Sequence, residues 1–99
     1  MVLLEFAMAP RGHEQSLSAD VARIVDIIDR SGLPYQLTAM GTLLEGEWDE
    51  VMALLKACVD KVAETAPRVS VVVKIDHRPG HDEAITTKVE ALEAHLRDT

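Results

Sequence analysis

The stretch that decides the fold is Leu33–Val51, LPYQLTAMGTLLEGEWDEV. From Tyr35 to Ala39 apolar and polar residues nearly alternate, as they do in a half-buried strand. Met40-Gly41 interrupts the run, and Thr42-Leu43-Leu44-Glu45 resumes it as a second short strand. Gly46 ends that strand. Glu47, Asp49 and Glu50 then open a helix, where carboxylates favour the positive end of the helix dipole. The stretch therefore reads as strand, turn, strand, helix. Glu45 is a carboxylate in an otherwise apolar strand, and Trp48, the chain's single tryptophan, follows directly. A carboxylate beside a flat aromatic suits a cationic or amine-bearing ring. A hairpin with a surface acid and a half-buried tryptophan satisfies the same pattern.

Outward from this hairpin, Val2 to Ala9 reads as a strand. Val2, Leu4, Phe6 and Met8 share one face; Leu3, Glu5, Ala7 and Ala9 share the other. Both faces are largely apolar apart from Glu5, which suits a central strand, and Pro10 is expected to end it. A loop from Arg11 to Leu17 leads to Ser18, a good helix cap. Val21, Ile24, Val25 and Ile28 then recur at helical spacing until Gly32 and Pro34 stop the helix. Downstream, a helix from about Glu47 to Thr65 carries Val51, Leu55, Cys58 and Val62 on one stripe, with Leu54 beside it. Arg68 to Asp76 alternates cleanly: Val69, Val71, Val73 and Ile75 face one way, and Ser70, Val72, Lys74 and Asp76 the other. After a polar loop from His77 to Glu83, a last helix from about Ala84 to Arg97 has a narrow stripe of Ile85, Val89, Leu92 and Leu96. Such a stripe suits a partner chain or a shallow groove.

The order β-α-β-β-α-β plus a terminal helix predicts an α+β fold: a ferredoxin-like βαββαβ sandwich on a four-stranded antiparallel sheet. Both crossovers place their helices on one face of that sheet. The other face carries Leu3, Glu5, Ala7, Gln36, Thr38, Met40, Ser70, Val72 and Lys74, too apolar for water alone and too polar for a simple core. Packing of sheet on sheet into a homo-oligomer, a dimer or a tetramer, is the expected cover, and a structural or regulatory oligomer without a small-molecule ligand is the alternative to a binding role. Ligand pockets often form at such interfaces.

Composition narrows the function. The 99 residues are 47% hydrophobic and 27% charged, which predicts one globular domain spanning residues 1–99. A net charge of −7 argues against nucleic acid as a partner, because phosphate neutralisation needs a basic face. One cysteine excludes an internal disulfide and a multi-cysteine metal site, and Cys58 reads as a core thiol. No apolar run approaches the roughly 20 residues that span a bilayer. The N-terminus reads as a first strand and not as a signal peptide, so a cytoplasmic protein without membrane partners is expected.

Three chemistries compete. Asp76-His77-Arg78-Pro79-Gly80-His81-Asp82 holds metal-compatible side chains, but Arg78 sits among them and the spacing matches no known site, so no metal is expected. The strand-loop-helix around Arg11, Gly12, Ser16 and Ser18 could hold a phosphate at a helix N-terminus, or simply be a capped start with a solvated arginine. A small enzyme acting there on a phosphorylated metabolite is one reading. Acylphosphatases resemble that layout, but they need an asparagine and this chain has none. Binding asks least of the residues: Glu45, Asp76, Thr42 and Tyr35 can hydrogen-bond, and Trp48, Met40 and Phe6 can supply flat or soft apolar contact.

A resemblance now adds to these readings. Pro10-Arg11-Gly12, SLSADVA at Ser16–Ala22, SGLPYQLTAMGTLLEGEWDEV at Ser31–Val51 and VKIDHR at Val73–Arg78 are similar to the small thiamine-binding proteins. These are single-domain relatives of the YkoF hydroxymethylpyrimidine/thiamine-binding proteins. The resemblance covers nearly the whole chain and implies a ferredoxin-like domain assembled into dimers and tetramers. It also implies no catalysis and no cofactor, with thiamine or its hydroxymethylpyrimidine as the ligand. Position by position, it points to Ser18, Tyr35, Met40, Thr42, Glu45, Asp49, Asp76 and Arg78. Glu45 would then pair with the aminopyrimidine, Met40 or Tyr35 would flank the ring, and Trp48 would stand nearby. Gly41 and Gly46 read as backbone requirements. Arg11 departs from the family's usual apolar residue and would either favour a phosphorylated ligand or simply be solvated. A slip of one residue in the third strand would turn Glu45 to the other face.

Overall fold

The computed structural model describes residues 1–12, 17–79 and 84–97. Its elements are β1 (Val2–Arg11), α1 (Leu17–Ser31), β2 (Tyr35–Leu37), β3 (Thr42–Gly46), α2 (Trp48–Ala63), β4 (Arg68–His77) and α3 (Ala84–Arg97). The strands form one sheet in the order β2-β3-β1-β4, and each neighbouring pair runs antiparallel. This is the ferredoxin-like order expected from the sequence.

The alternation in β1 becomes a division of faces. Val2, Leu4 and Phe6 are buried against α1 and α2, opposite Gly46, Leu44 and Thr42 of β3. Ile24 and Ile28 from α1 join Val51, Leu54, Leu55, Cys58 and Val62 from α2 in the same core. Each fully buried aliphatic side chain contributes roughly 1.5–3 kcal/mol of transfer free energy, so this two-helix face holds the fold together.

Local details differ from expectation in three places. β1 runs on through Pro10 and Arg11, which pair with Val69 and Arg68. From Ala7 onward β1 pairs with β4 alone, and a residue without an N–H is tolerated at such a one-sided stretch. β2 is only Tyr35–Leu37, shorter than the alternation suggested. Thr38 leaves the ladder because its hydroxyl donates to Gly41 O at 2.8 Å and accepts from Met40 N and Gly41 N, closing a tight turn. α1 begins at Leu17, which puts Ser18 inside the first turn and not at the cap.

At α2 the acidic start works as a reciprocal cap: the Glu47 N–H donates to Glu50 Oε1 at 3.0 Å. Gly32 closes α1 with φ +78°, the left-handed conformation that favours glycine. Among the described residues, no helix is long and apolar enough to cross a membrane.

Candidate functional site on the open sheet face

Register settles where each candidate side chain goes. Leu3 lies between Glu45 of β3 and Asp76 of β4 on one rung, and Glu5 lies between Leu43 and Lys74 on the next. Directly opposed residues share a face, so Glu45, Asp76, Glu5 and Lys74 all belong to the sheet face away from α1 and α2. Glu45 thus lies on the face opposite the two-helix core.

These rungs floor a cavity of about 430 Å³ lined by Leu3, Glu5, Leu43, Lys74, Ile75 and Asp76. That volume falls in the usual range for small-molecule sites. Its floor is apolar, and Glu5, Lys74 and Asp76 are its charged members. At one end the Asp76 carboxylate lies 3.5 Å from Arg78 Nε. The backbone of Arg78 is tied to the start of the chain: its N–H donates to Met1 O at 3.2 Å, and the Met1 amino group donates to Arg78 O at 3.4 Å. Glu45 is only 1% exposed. α1 and α2 occupy the opposite face, and α3 lies against β3. Val89, Leu92 and Leu96 of α3 are exposed.

The structure brings Glu45, Asp76 and Arg78 to one end of one face, and it separates the other candidates. Tyr35 is opposite Leu44, on the helix-covered side, and its hydroxyl donates to Asp29 Oδ1 at 3.0 Å. That hydrogen bond, followed by the Asp29 charge, raises the phenol above its usual range. Trp48 is half exposed and leans on His77 with ring centroids 5.9 Å apart. His77 is opposite Val2, which places this aromatic pair at the same end of the sheet but on the helix side. Thr42 and Met40 line a second, smaller cavity of about 220 Å³ between the β2–β3 turn and α1, together with Phe6, Met8, Val21 and Ile24. Met40 is 84% exposed there.

Arg11 stands eight residues beyond Leu3 along β1, about 27 Å away at the usual strand rise, too far to reach Glu45. It is paired instead with Arg68. Asp49 lies in the first turn of α2. The side chain of Ser18, the loop residue Ser16 and the possible metal ligands His81 and Asp82 lie outside the described residues. Among the described residues no cluster of three or more His, Cys, Asp or Glu side chains could hold a metal ion. The sequence reading missed Lys74 and Leu43 as groove residues. Glu5, the one acid in an apolar strand, was the signal that could have found the Glu5–Lys74 rung.

Comparison with known proteins decides the family. The profile of the thiamine-binding protein family matches residues 4–93, which takes in the sheet apart from the first two residues of β1, and most of α3. This chain belongs to the thiamine-binding protein family. A curated relative from Mycobacterium bovis, UPF0045 protein Mb1933, is 43% identical over 96 residues, covering 96% of this chain and 94% of its own length. Protein MJ1052 of Methanocaldococcus jannaschii has a crystal structure that superposes with a TM-score of 0.83 at 30% identity, covering 93% of this chain and 95% of that one. A Bacillus cereus domain of unknown function, DUF77, superposes with a TM-score of 0.81 at 28% identity, over 89% of this chain and 86% of that one. The family name indicates a thiamine-related role, and the ferredoxin-like architecture is shared with the two solved structures.

Proposed function

We propose that this protein is a non-catalytic, oligomeric, cytoplasmic binder of thiamine or a related aminopyrimidine, held in the groove of the open sheet face. The observation that carries the proposal is the cavity lined by Glu5, Asp76 and Lys74 over Leu3 and Leu43, beside Glu45, in a member of the thiamine-binding family. Thiamine joins an aminopyrimidine to a permanently cationic ring. Such a ligand asks for carboxylates that accept from its amine and balance its charge, above an apolar floor for its flat rings. Glu5 and Asp76 supply the first and Leu3 and Leu43 the second. A second copy seated over the open face would complete the enclosure and cover its apolar residues.

Calorimetric titration of dialysed protein with thiamine, hydroxymethylpyrimidine and thiamine phosphates tests this reading. Micromolar or tighter binding of one of them is expected, and Asp76→Asn should weaken it about tenfold or more through loss of a charge-assisted contact. No heat with any of these ligands would refute the binding role. Unchanged affinity in both Asp76→Asn and Glu5→Gln would move the ligand out of this groove.

A further inference from the structure

The end of the open face remote from Asp76 is cationic. There the rungs Ala7–Val72, Ala9–Ser70 and Arg11–Arg68 follow one another between β1 and β4. Arg11 and Arg68 are directly opposed, and both are exposed. Directly opposed residues have Cβ atoms about 4.5–5.5 Å apart, and like charges so placed are unfavourable. Elsewhere Arg23, Arg30, Lys56, Lys61 and Arg78 each form an ion pair with a carboxylate; among the described residues Arg11 and Arg68 do not. The rung is also held by its backbone. Pro10 precedes Arg11 and Pro67 precedes Arg68, and proline fixes its own φ. Gly12 packs so closely on Pro67 that a Cβ there would sit 2.7 Å from Pro67 Cγ. That contact ties the two strand ends together beside the arginines.

We propose that Arg11, Arg68 and Ser70 form a site for a phosphoryl dianion, either inorganic phosphate or a phosphomonoester. Each guanidinium presents a planar fork of N–H donors that matches two oxygens of a phosphoryl group. Two forks on one rung match a group with two charges and at least three acceptor oxygens. A carboxylate has one charge and two oxygens, which a single guanidinium satisfies, so the pair favours the dianion. Ser70 is the next residue of β4 on this face, roughly 7 Å from Arg68 at the usual strand rise. Its hydroxyl can donate to a remaining oxygen. Opposite it stands Ala9, whose small side chain leaves room above the sheet. The net charge of −7 repels long polyanions, so the site suits a small ligand.

This site is separate from the groove at the other end of the face. Arg68 and Asp76 are eight residues apart on β4, roughly 27 Å at the usual strand rise. A small ligand seated on Asp76 cannot also place a phosphate between the arginines. The anion site therefore stands whether or not the groove binds thiamine. Binding here is also linked to stability, because an anion between the two guanidinium groups turns a repulsive rung into an attractive one. Removing one arginine relieves the repulsion and removes the anion's stabilising effect together. A residue that only supports the fold would do neither.

Calorimetric titration with inorganic phosphate and with phenyl phosphate, in phosphate-free buffer of low ionic strength, reads the site. The native protein is expected to bind both with a Kd of about 1 mM or tighter, and Arg11→Gln and Arg68→Gln each to weaken binding about tenfold or more. Without phosphate, the thermal midpoint of each variant should equal or exceed the native value; about 10 mM phosphate should raise the native midpoint alone. Lys56→Gln, on the exposed side of α2, should keep the native affinity. Tighter binding of phenyl phosphate would assign the site to an ester, and tighter binding of phosphate to the free ion; both support the dianion. No binding by the native protein, or equal affinity in the native protein and either arginine variant, would overturn the site. A matching loss in Lys56→Gln would overturn it too, by tracing the binding to net charge.

Discussion

Cys58 has no exposed surface, and burial pushes its thiol up from 9.0 to about 11. An unfolded chain would ionise this thiol near its ordinary value, while the folded chain keeps the proton until the higher pH. Between those values the unfolded state binds fewer protons, so ionisation favours unfolding. The stabilising effect is complete below about pH 9 and is lost as the pH rises towards 11. The urea midpoint should therefore fall across that window, and Cys58→Ala should flatten this part of the slope. Equal slopes in the two proteins would mean that other groups carry the loss. The same burial makes Cys58 a packing residue and not a nucleophile, since the thiolate is the reactive form.

At the scale of elements, the β2–β3 turn is set by one close approach. A Cβ on Gly41 would sit 2.8 Å from the backbone oxygen of Phe6, with backbone on both sides of the contact. Gly41→Ala should therefore cost about 1–3 kcal/mol, measured from urea midpoints, and should loosen the wall of the smaller cavity that Thr42 and Met40 line. Gly32 offers a contrast. Nothing crowds a Cβ there within 4 Å, but its φ of +78° makes alanine cost about 1–2 kcal/mol. A loss at Gly41 no greater than that at Gly32 would remove the steric account of the turn. The sequence marked Gly41 as a backbone requirement and Gly32 as a helix stop, and it could not show that one is held by a close approach and the other by its φ.

At the scale of the whole molecule, the open face around Leu3, Leu43 and Val72 carries the apolar side chains that the proposed second copy would cover. Cover by further copies makes folding and assembly one equilibrium, so the thermal midpoint should rise with protein concentration. A midpoint independent of concentration over two orders of magnitude would favour a stable monomer.

Alternation in β1 and β4, helical spacing in α1 and α2, and the glycine-bounded hairpin determined the element order, the ferredoxin-like sheet and the core. Those signals are local, because side-chain periodicity of two or of 3.6 residues follows from backbone geometry alone. The family resemblance was legible for the same reason, as motifs read along the chain. The composition of the site was not. Tyr35, Met40, Thr42 and Arg11 share motifs with Glu45, Asp76 and Arg78, yet the sheet sends them to other faces or ends, and Glu5 and Lys74 enter the groove instead. Which side chains meet is fixed by cross-strand register and by where α3 returns over β3. Both depend on contacts between residues far apart in the chain, so only the tertiary structure could decide them.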